Sequence, residues 1–213
     1  MNIIANLFNA ILDYTFNITG DWGLAIVLIT ILVKTILLPL SLKQRINMRK
    51  QLVLSKEMQR IKEKYKDKPK KLEEELQKCY SKNMKGILGF GVAFLQLPII
   101  SALYMAIRTM PAEAVTMLVP WIMSIKLPDN NFIIPMIYTL VSLAPSLLSY
   151  FKIFKPLENT KVSKKSLIPM AVFSLIITIK APIALGIYFI TSSLFALVEE
   201  ISFRLYMRKK VLA

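Results

Sequence analysis

The residue with the most chemistry to explain is Lys34. It stands in the middle of Ala25–Leu42, "AIVLITILVKTILLPLSL", a run apolar enough to cross a membrane. A cation at that depth costs about 3 kcal/mol on insertion scales. The end of the apolar run lies ~13 Å further along a helix rising 1.5 Å per residue, too far for snorkelling alone to bring the ammonium to water. Two arrangements would satisfy it. One is a hydrated groove inside the protein. The other is an ion pair, for which the only acids in or near the apolar runs are Glu199 and Glu200. The groove is the favoured reading. Its walls would take polarity from side chains at the same depth: Thr30, Thr35, Gln96, Ser101, Tyr104, Ser142, Ser146, Thr191, Ser192 and Ser193. Any single Ser or Thr among them is also served by a bond to its own helix backbone. Gln96 is the exception, because a mid-span amide needs a partner, either in a groove or across a helix contact.

Other chemistry is excluded by what the chain lacks. With no histidine, imidazole bases and His-ligated metal sites are ruled out. The single cysteine, Cys79, allows no intrachain disulfide and reads as a reduced, half-buried helix residue. There is no Gly-rich phosphate loop and no carboxylate cluster for acid–base work. The expectation is a protein that is not an enzyme and uses no cofactor and no metal.

The elements that would position Lys34 follow from hydropathy and charge. In 213 residues, 55% are hydrophobic and the mean hydropathy is +0.52, on long uninterrupted runs. The expected fold is all-α: an integral membrane protein with five transmembrane helices at about 22–42, 86–107, 132–151, 167–179 and 182–205. Residues 1–20 form a separate element. Ile3, Ile4, Leu7, Phe8, Ile11 and Leu12 make a helical stripe opposite Asn2, Asn6, Asn9 and Asp13, without the basic start of a signal peptide. This segment reads as an amphipathic interfacial helix, broken from the core (21–213) by Gly20 and Asp21.

Residues 43–85 change character, with 15 Lys and Arg against six acids. Leu54, Met58, Ile61 and Tyr65 share one helical face, and Leu72, Leu76, Cys79 and Tyr80 another. "KDKP" between them supplies a turn, with Pro69 at the start of the second helix. The segment reads as a helical hairpin in water. Of the 28 basic residues, 24 fall in this hairpin, in the 152–166 loop and in the 204–210 tail, whereas 1–21 and 108–131 hold only Arg108 and Lys126. The positive-inside rule then puts the hairpin and the C-terminus in the cytoplasm and the N-terminus outside. No internal repeat is visible, which weighs against inverted-repeat transporters.

These residues resemble the YidC family of membrane protein insertases. The resemblance lies in "GDWGLAIVLITILVKTILLPLSLKQ", "SKEMQRIKEKYKDKPKKLEEELQKCY", "FLQLPIISALY" and "APIALGIYFITSSL", and covers about residues 20–208 in order. It implies five core spans, an outer amphipathic helix, a cytoplasmic hairpin, and a groove open to the cytoplasm and to lipid but closed outside. Lys34 falls where most bacterial members carry Arg. The charge is kept while the bidentate fork is lost. Phe189 stands where the family often has Trp, Ser193 where it often has Asn, and Pro145–Ser146 where it has a Gln pair. The implied groove residues are Lys34, Thr30, Gln96, Tyr104, Ser146, Phe189, Thr191, Ser192 and Ser193. Arg45, Arg49, Lys50, Arg60, Lys62 and Lys64 would carry cytoplasmic hairpin contacts.

The function implied is guiding small membrane proteins into the bilayer. Expected partners are nascent membrane proteins, ribosome or signal-recognition components, the secretion channel and anionic lipid, without nucleic-acid specificity. The short chain, with no large outer domain, suggests a bacterial plasma membrane of Gram-positive type. Two rival functions remain: a small-solute channel or transporter, which would leak, and a scaffold that recruits ribosomes through its basic face.

Overall fold

The computed structural model describes residues 2–66, 68–83, 91–150 and 164–212, and every regular element among them is helical. The elements are α1 (Asn2–Thr19), α2 (Trp22–Lys64), α3 (Pro69–Asn83), α4 (Gly91–Thr109), α5 (Ile133–Leu147) followed by a 3-10 turn (Leu148–Tyr150), α6 (Lys164–Ile179) and α7 (Ile183–Leu212). Two helices, α2 and α7, are long and apolar enough to cross a membrane, and Ile133–Leu147 and Leu167–Ile179 are shorter apolar helices. The expected start of the second span (86–90) and the loop 152–163 lie outside the described residues.

The first apolar run and the basic segment after it belong to one helix. The helix continues beyond the expected end of the first span at Leu42: α2 runs unbroken for 43 residues, through Pro39 and into the basic segment. The composition changes there, but Lys, Gln and Arg are as helix-competent as Leu, so nothing local stops the helix. It stops at Tyr65–Lys66, where the Lys68 amide donates to the Tyr65 carbonyl at 2.9 Å and Pro69 opens α3. The anticipated turn is therefore found, with Asp67 itself outside the described residues.

The chain forms two compact units, Met1–Ile36 with Ile99–Ala213, and Leu37–Pro98. In the second, Leu54, Met58, Ile61, Tyr65, Leu72 and Leu76 are half-buried and Cys79 is buried, as their helical spacing predicts. In the first, α5 packs on both α6 and α7. Its core joins Leu12 of α1, Ala25, Ile26 and Ile29 of α2, Leu103, Ala106 and Ile107 of α4, Ile134 of α5 and Ile183–Tyr188 of α7, with Ala114, Val119 and Ile125 from the 110–132 loop. These residues lie where α2, α5 and α7 begin and α4 finishes. The apolar core therefore fills one end of the unit. Phe8, Ile11 and Phe16 dock α1 against it, and Phe16 stacks on Trp22 with ring centroids 4.0 Å apart.

Two glycines permit close approach at that end. A Cβ on Gly186 of α7 would collide with Ile134 Cγ2 of α5, and one on Gly23 of α2 would collide with Thr116 Oγ1. Close packing matters here because lipid is as apolar as a core side chain. Helices in a bilayer associate through packing and polar ties rather than through the hydrophobic effect.

Candidate functional site: a polar layer behind a capped end

The 110–132 loop closes the end of the first unit by satisfying helix termini. An α-helix leaves its first amides and last carbonyls without partners. For α2, the Asp21 carboxylate accepts from the Leu24 amide at 2.8 Å, and is itself held by the Thr116 hydroxyl (2.8 Å) and the Met117 amide (2.6 Å). For α5, Asp129 accepts from the amides of Asn131 (3.1 Å) and Ile134 (2.8 Å) and from Trp121 Nε1 (3.3 Å). Phe132, at the cap, takes a left-handed φ of 57°. For α7, Pro182 has no amide to satisfy, and the next two amides, Ile183 and Ala184, donate to the carbonyls of Leu127 and Ile125, each at 2.9 Å. For α4, the Lys126 ammonium donates to the carbonyls of Arg108 (3.3 Å) and Met110 (2.9 Å) at the C-terminal end, where a cation also suits the helix dipole. One loop thus ties four helix ends.

Asp21 is 4% exposed. Burial pushes its carboxyl up, but hydrogen bonds from Leu24, Met117, Thr116 and Gly23 outweigh burial and hold it below the ordinary Asp value. In the sequence pattern it stands only as a break after α1. The signal for its role was present: an Asp three residues before Leu24, at the head of an apolar run, is an N-cap pattern.

Further along each helix, the buried side chains change from apolar to polar. Thr30 lies eight residues into α2, Thr139 and Ser142 six and nine into α5, and Thr191 and Ser192 eight and nine into α7. At 1.5 Å per residue these form a layer ~9–14 Å from the helix starts, with Lys34 at ~18 Å. Lys34 is half-buried and engaged with neighbours, and Gln96 and Glu199 are engaged likewise. Thr30, Lys34 and Ser41 recur at i, i+4 and i+11, so they share one stripe of α2. Exposed Leu32, Ile36 and Leu40 occupy another.

The residues singled out from sequence separate into groups. Thr30 and Thr191 are buried, and each hydroxyl donates to its own helix, to the carbonyls of Ile26 (2.6 Å) and Ile187 (2.8 Å). Ser192 is buried, whereas Ser193 and Phe189 sit at the half-buried margin of α7. Phe189 lies between Tyr138 (5.3 Å) and Tyr188 (5.5 Å). Ser142 meets Ser174 across the α5–α6 contact at 3.1 Å, and Ser146 reaches Met170 Sδ at 4.0 Å. Tyr104 is largely exposed and carries the Arg108 guanidinium 5.9 Å from its ring centroid. Glu200, one of the two acids weighed as a partner for Lys34, holds Arg204 one turn on in α7. Of the hairpin residues, Lys50, Arg60, Lys62 and Lys64 are exposed, Arg45 is half-buried and engaged, and the Arg49 side chain lies outside the described set.

A helical protein with membrane-length apolar helices, an end capped by its own loop and a polar interior behind that cap is defined by these features. The comparisons with known proteins place it further. The family described as 60Kd inner membrane protein matches residues 14–210, and the chain belongs to that family. A protein of Fusobacterium nucleatum named membrane protein insertase YidC is 30% identical over 207 residues, covering 94% of this chain and 96% of that protein. One of Caldanaerobacter subterraneus with the same name is 29% identical, covering 95% of each. A Helicobacter pylori protein of that name is 29% identical over 90% of this chain, which spans only 34% of its length.

Proposed function

We propose that the chain is a membrane protein insertase. Its family membership over residues 14–210 is the observation that carries this reading. In it, α2, α4, α5, α6 and α7 are five spans, with the N-terminus and the capped end outside and the C-terminus in the cytoplasm. The charge distribution supports that orientation. The basic helix–turn–helix of residues 43–83 stands on the cytoplasmic side as a hairpin. Its exposed Arg60, Lys62 and Lys64 would meet ribosome or signal-recognition components and anionic headgroups.

The chemistry expected of the polar layer is charge attraction without bond making. A client's outgoing tail must enter the bilayer with its polar groups satisfied. Hydroxyls and water behind the cap shorten the hydrocarbon path. Lys34 adds a positive field in a medium of low effective dielectric, where unit charges 4 Å apart attract by about 4 kcal/mol at an effective constant near 20. An acidic tail is drawn part-way across. The client's apolar segment then moves sideways into lipid, which is the downhill step, so no nucleotide is required. Lys34 acts as a point charge, without the planar fork of Arg, which suits tails of varied geometry.

The test is insertion by the purified protein in liposomes. A short single-span client with an acidic tail should become protected from external protease only when the protein is present. An entrapped dye should stay inside. Absence of protection, or loss of the dye, would contradict the proposal.

A further inference from the structure

The central stretch of the 110–132 loop, residues 114–128, is built inside out, between the exposed polar Glu113 on one side and Asn130 and Asn131 on the other. Between residues 114 and 128 every exposed residue is apolar or proline. Val115, Met117, Leu118, Trp121, Met123 and Leu127 all face outward, with Met123 88% and Met117 81% exposed. Every polar side chain in the same stretch turns inward: Thr116 and Ser124 are buried, and Lys126 is half-buried on the α4 carbonyls. A loop in water partitions the other way, because exposed polar side chains are solvated at no cost, exposed apolar ones cost about 25 cal/mol per Å², and buried polar groups need partners. The inversion is not forced by a shortage of apolar interior, since Ala114, Val119 and Ile125 of the same loop sit in the core. Past the exposed Asn130 and Asn131, exposed apolar side chains resume at Phe132 and Ile133 and continue with Met136, Ile137 and Leu140 of α5. No charged side chain interrupts the outward face between 114 and 128.

We propose that this loop docks into the lipid at the boundary between headgroups and acyl chains, on the leaflet at the capped end. The indole of Trp121 supports that depth: its Nε1 is tied to Asp129 while its ring is turned out, a suitable arrangement for an aromatic at a membrane interface. With no outward charge between 114 and 128 and only the anionic Glu113 exposed beside it, the docking depends on apolar contact and not on anionic lipid. The caps on α2, α4, α5 and α7 are thereby held at a fixed depth. This goes beyond the insertase reading and needs only that the protein sits in a membrane.

The test uses the two tryptophans. Trp22→Phe keeps an aromatic ring against Phe16 and leaves Trp121 as the only indole. The protein is placed in phosphatidylcholine vesicles carrying bromine either near the headgroup end or near the terminus of the acyl chains. Shallow bromine should quench Trp121 strongly and deep bromine weakly, acrylamide in the water should quench little, and added anionic lipid should change nothing. A second readout keeps the result independent of Trp22. Met123→Cys in a Cys79→Ser background, labelled with bimane, should give the same depth gradient. Quenching by acrylamide but not by bromolipid would put the loop in water, with its apolar face open to a protein partner or a client, and would overturn the proposal. Dominant deep quenching would overturn it too. Insertion activity does not enter either readout, so a failed insertion assay leaves this result standing, and the reverse.

Discussion

Replacing Asp21 tests whether the capped end is held by polar ties. In Asp21→Ala the Leu24 amide loses its cap, worth about 1 kcal/mol. The Thr116 hydroxyl, buried at 5% exposure, loses a charge-assisted acceptor and has no water to replace it. A stranded buried group of this kind costs about 1–3 kcal/mol. The Met117 amide also loses a short bond, but its residue is well exposed and water recovers part of the loss. The sum is about 2–4 kcal/mol for Asp21→Ala. It is smaller, about 1–2 kcal/mol, for Asp21→Asn, which keeps one acceptor but turns an amide donor toward another donor. The assay is reversible unfolding in mixed micelles, followed by helix content and by protease access to the 110–132 loop. A pH series adds a sign. The folded carboxyl lies below the ordinary value of 3.8, so its contribution is complete above 3.8 and is lost as pH falls from there through the folded value. Asp21→Asn should be flat across that window. Wild-type stability in Asp21→Asn, with an unchanged acid profile, would mean that the carboxylate does not hold the capped end.

Three further outcomes follow from the same geometry. Gly186→Ala should destabilise by about 1–3 kcal/mol through overpacking against Ile134, and Ile134→Ala should recover part of that loss in a double-mutant cycle; additive losses in thermal melts would contradict the close approach. Ser142→Ala should cost about 0.6–1.7 kcal/mol, and Ser174→Ala in the same background should add much less, because one hydrogen bond joins the two. Neutralising exposed Arg60, Lys62 and Lys64 together should weaken binding to anionic vesicles by about 1 kcal/mol per charge, read by flotation at low and high salt.

Much of the helical layout is legible in the sequence because it is written in local pattern. The apolar runs give α2, α4, α5, α6 and α7, and "KDKP" gives the turn into α3. The half-buried face of residues 54–65 and 72–79 follows from spacing alone. The continuation of α2 past Leu42 was hidden by a change of composition that is not a change of helix propensity. The capping loop was hidden for a different reason. Asp21 and Thr116 are 95 residues apart, and neither the partner of a carboxylate nor the turn of a loop's side chains is encoded by local periodicity. A semi-polar connection and an inside-out loop have the same composition. The polar layer was half legible. Thr30, Thr191 and Ser192 are packed inside the protein, where a water-filled groove would leave its lining accessible, and the hydroxyls of Thr30 and Thr191 are satisfied on their own helices. Ser146 turns toward α6, and Tyr104 toward Arg108. Spacing puts a residue at a depth and offers it a partner one turn away, as for Thr30, Thr191 and Tyr104; a partner on another helix, as for Ser142 and Ser146, comes only from the tertiary fold.

In the proposed mechanism Lys34 supplies the charge that draws a client's tail across. It is tested most directly by insertion into liposomes of an acidic-tailed single-span client, compared with the same client carrying a neutral tail, for wild type, Lys34→Arg, Lys34→Ala and Lys34→Glu. Protease protection of the acidic client is expected with wild type and Lys34→Arg, its loss with Lys34→Ala and Lys34→Glu, and a much smaller effect for the neutral client. Equal protection of the acidic client by Lys34→Ala and wild type would contradict it.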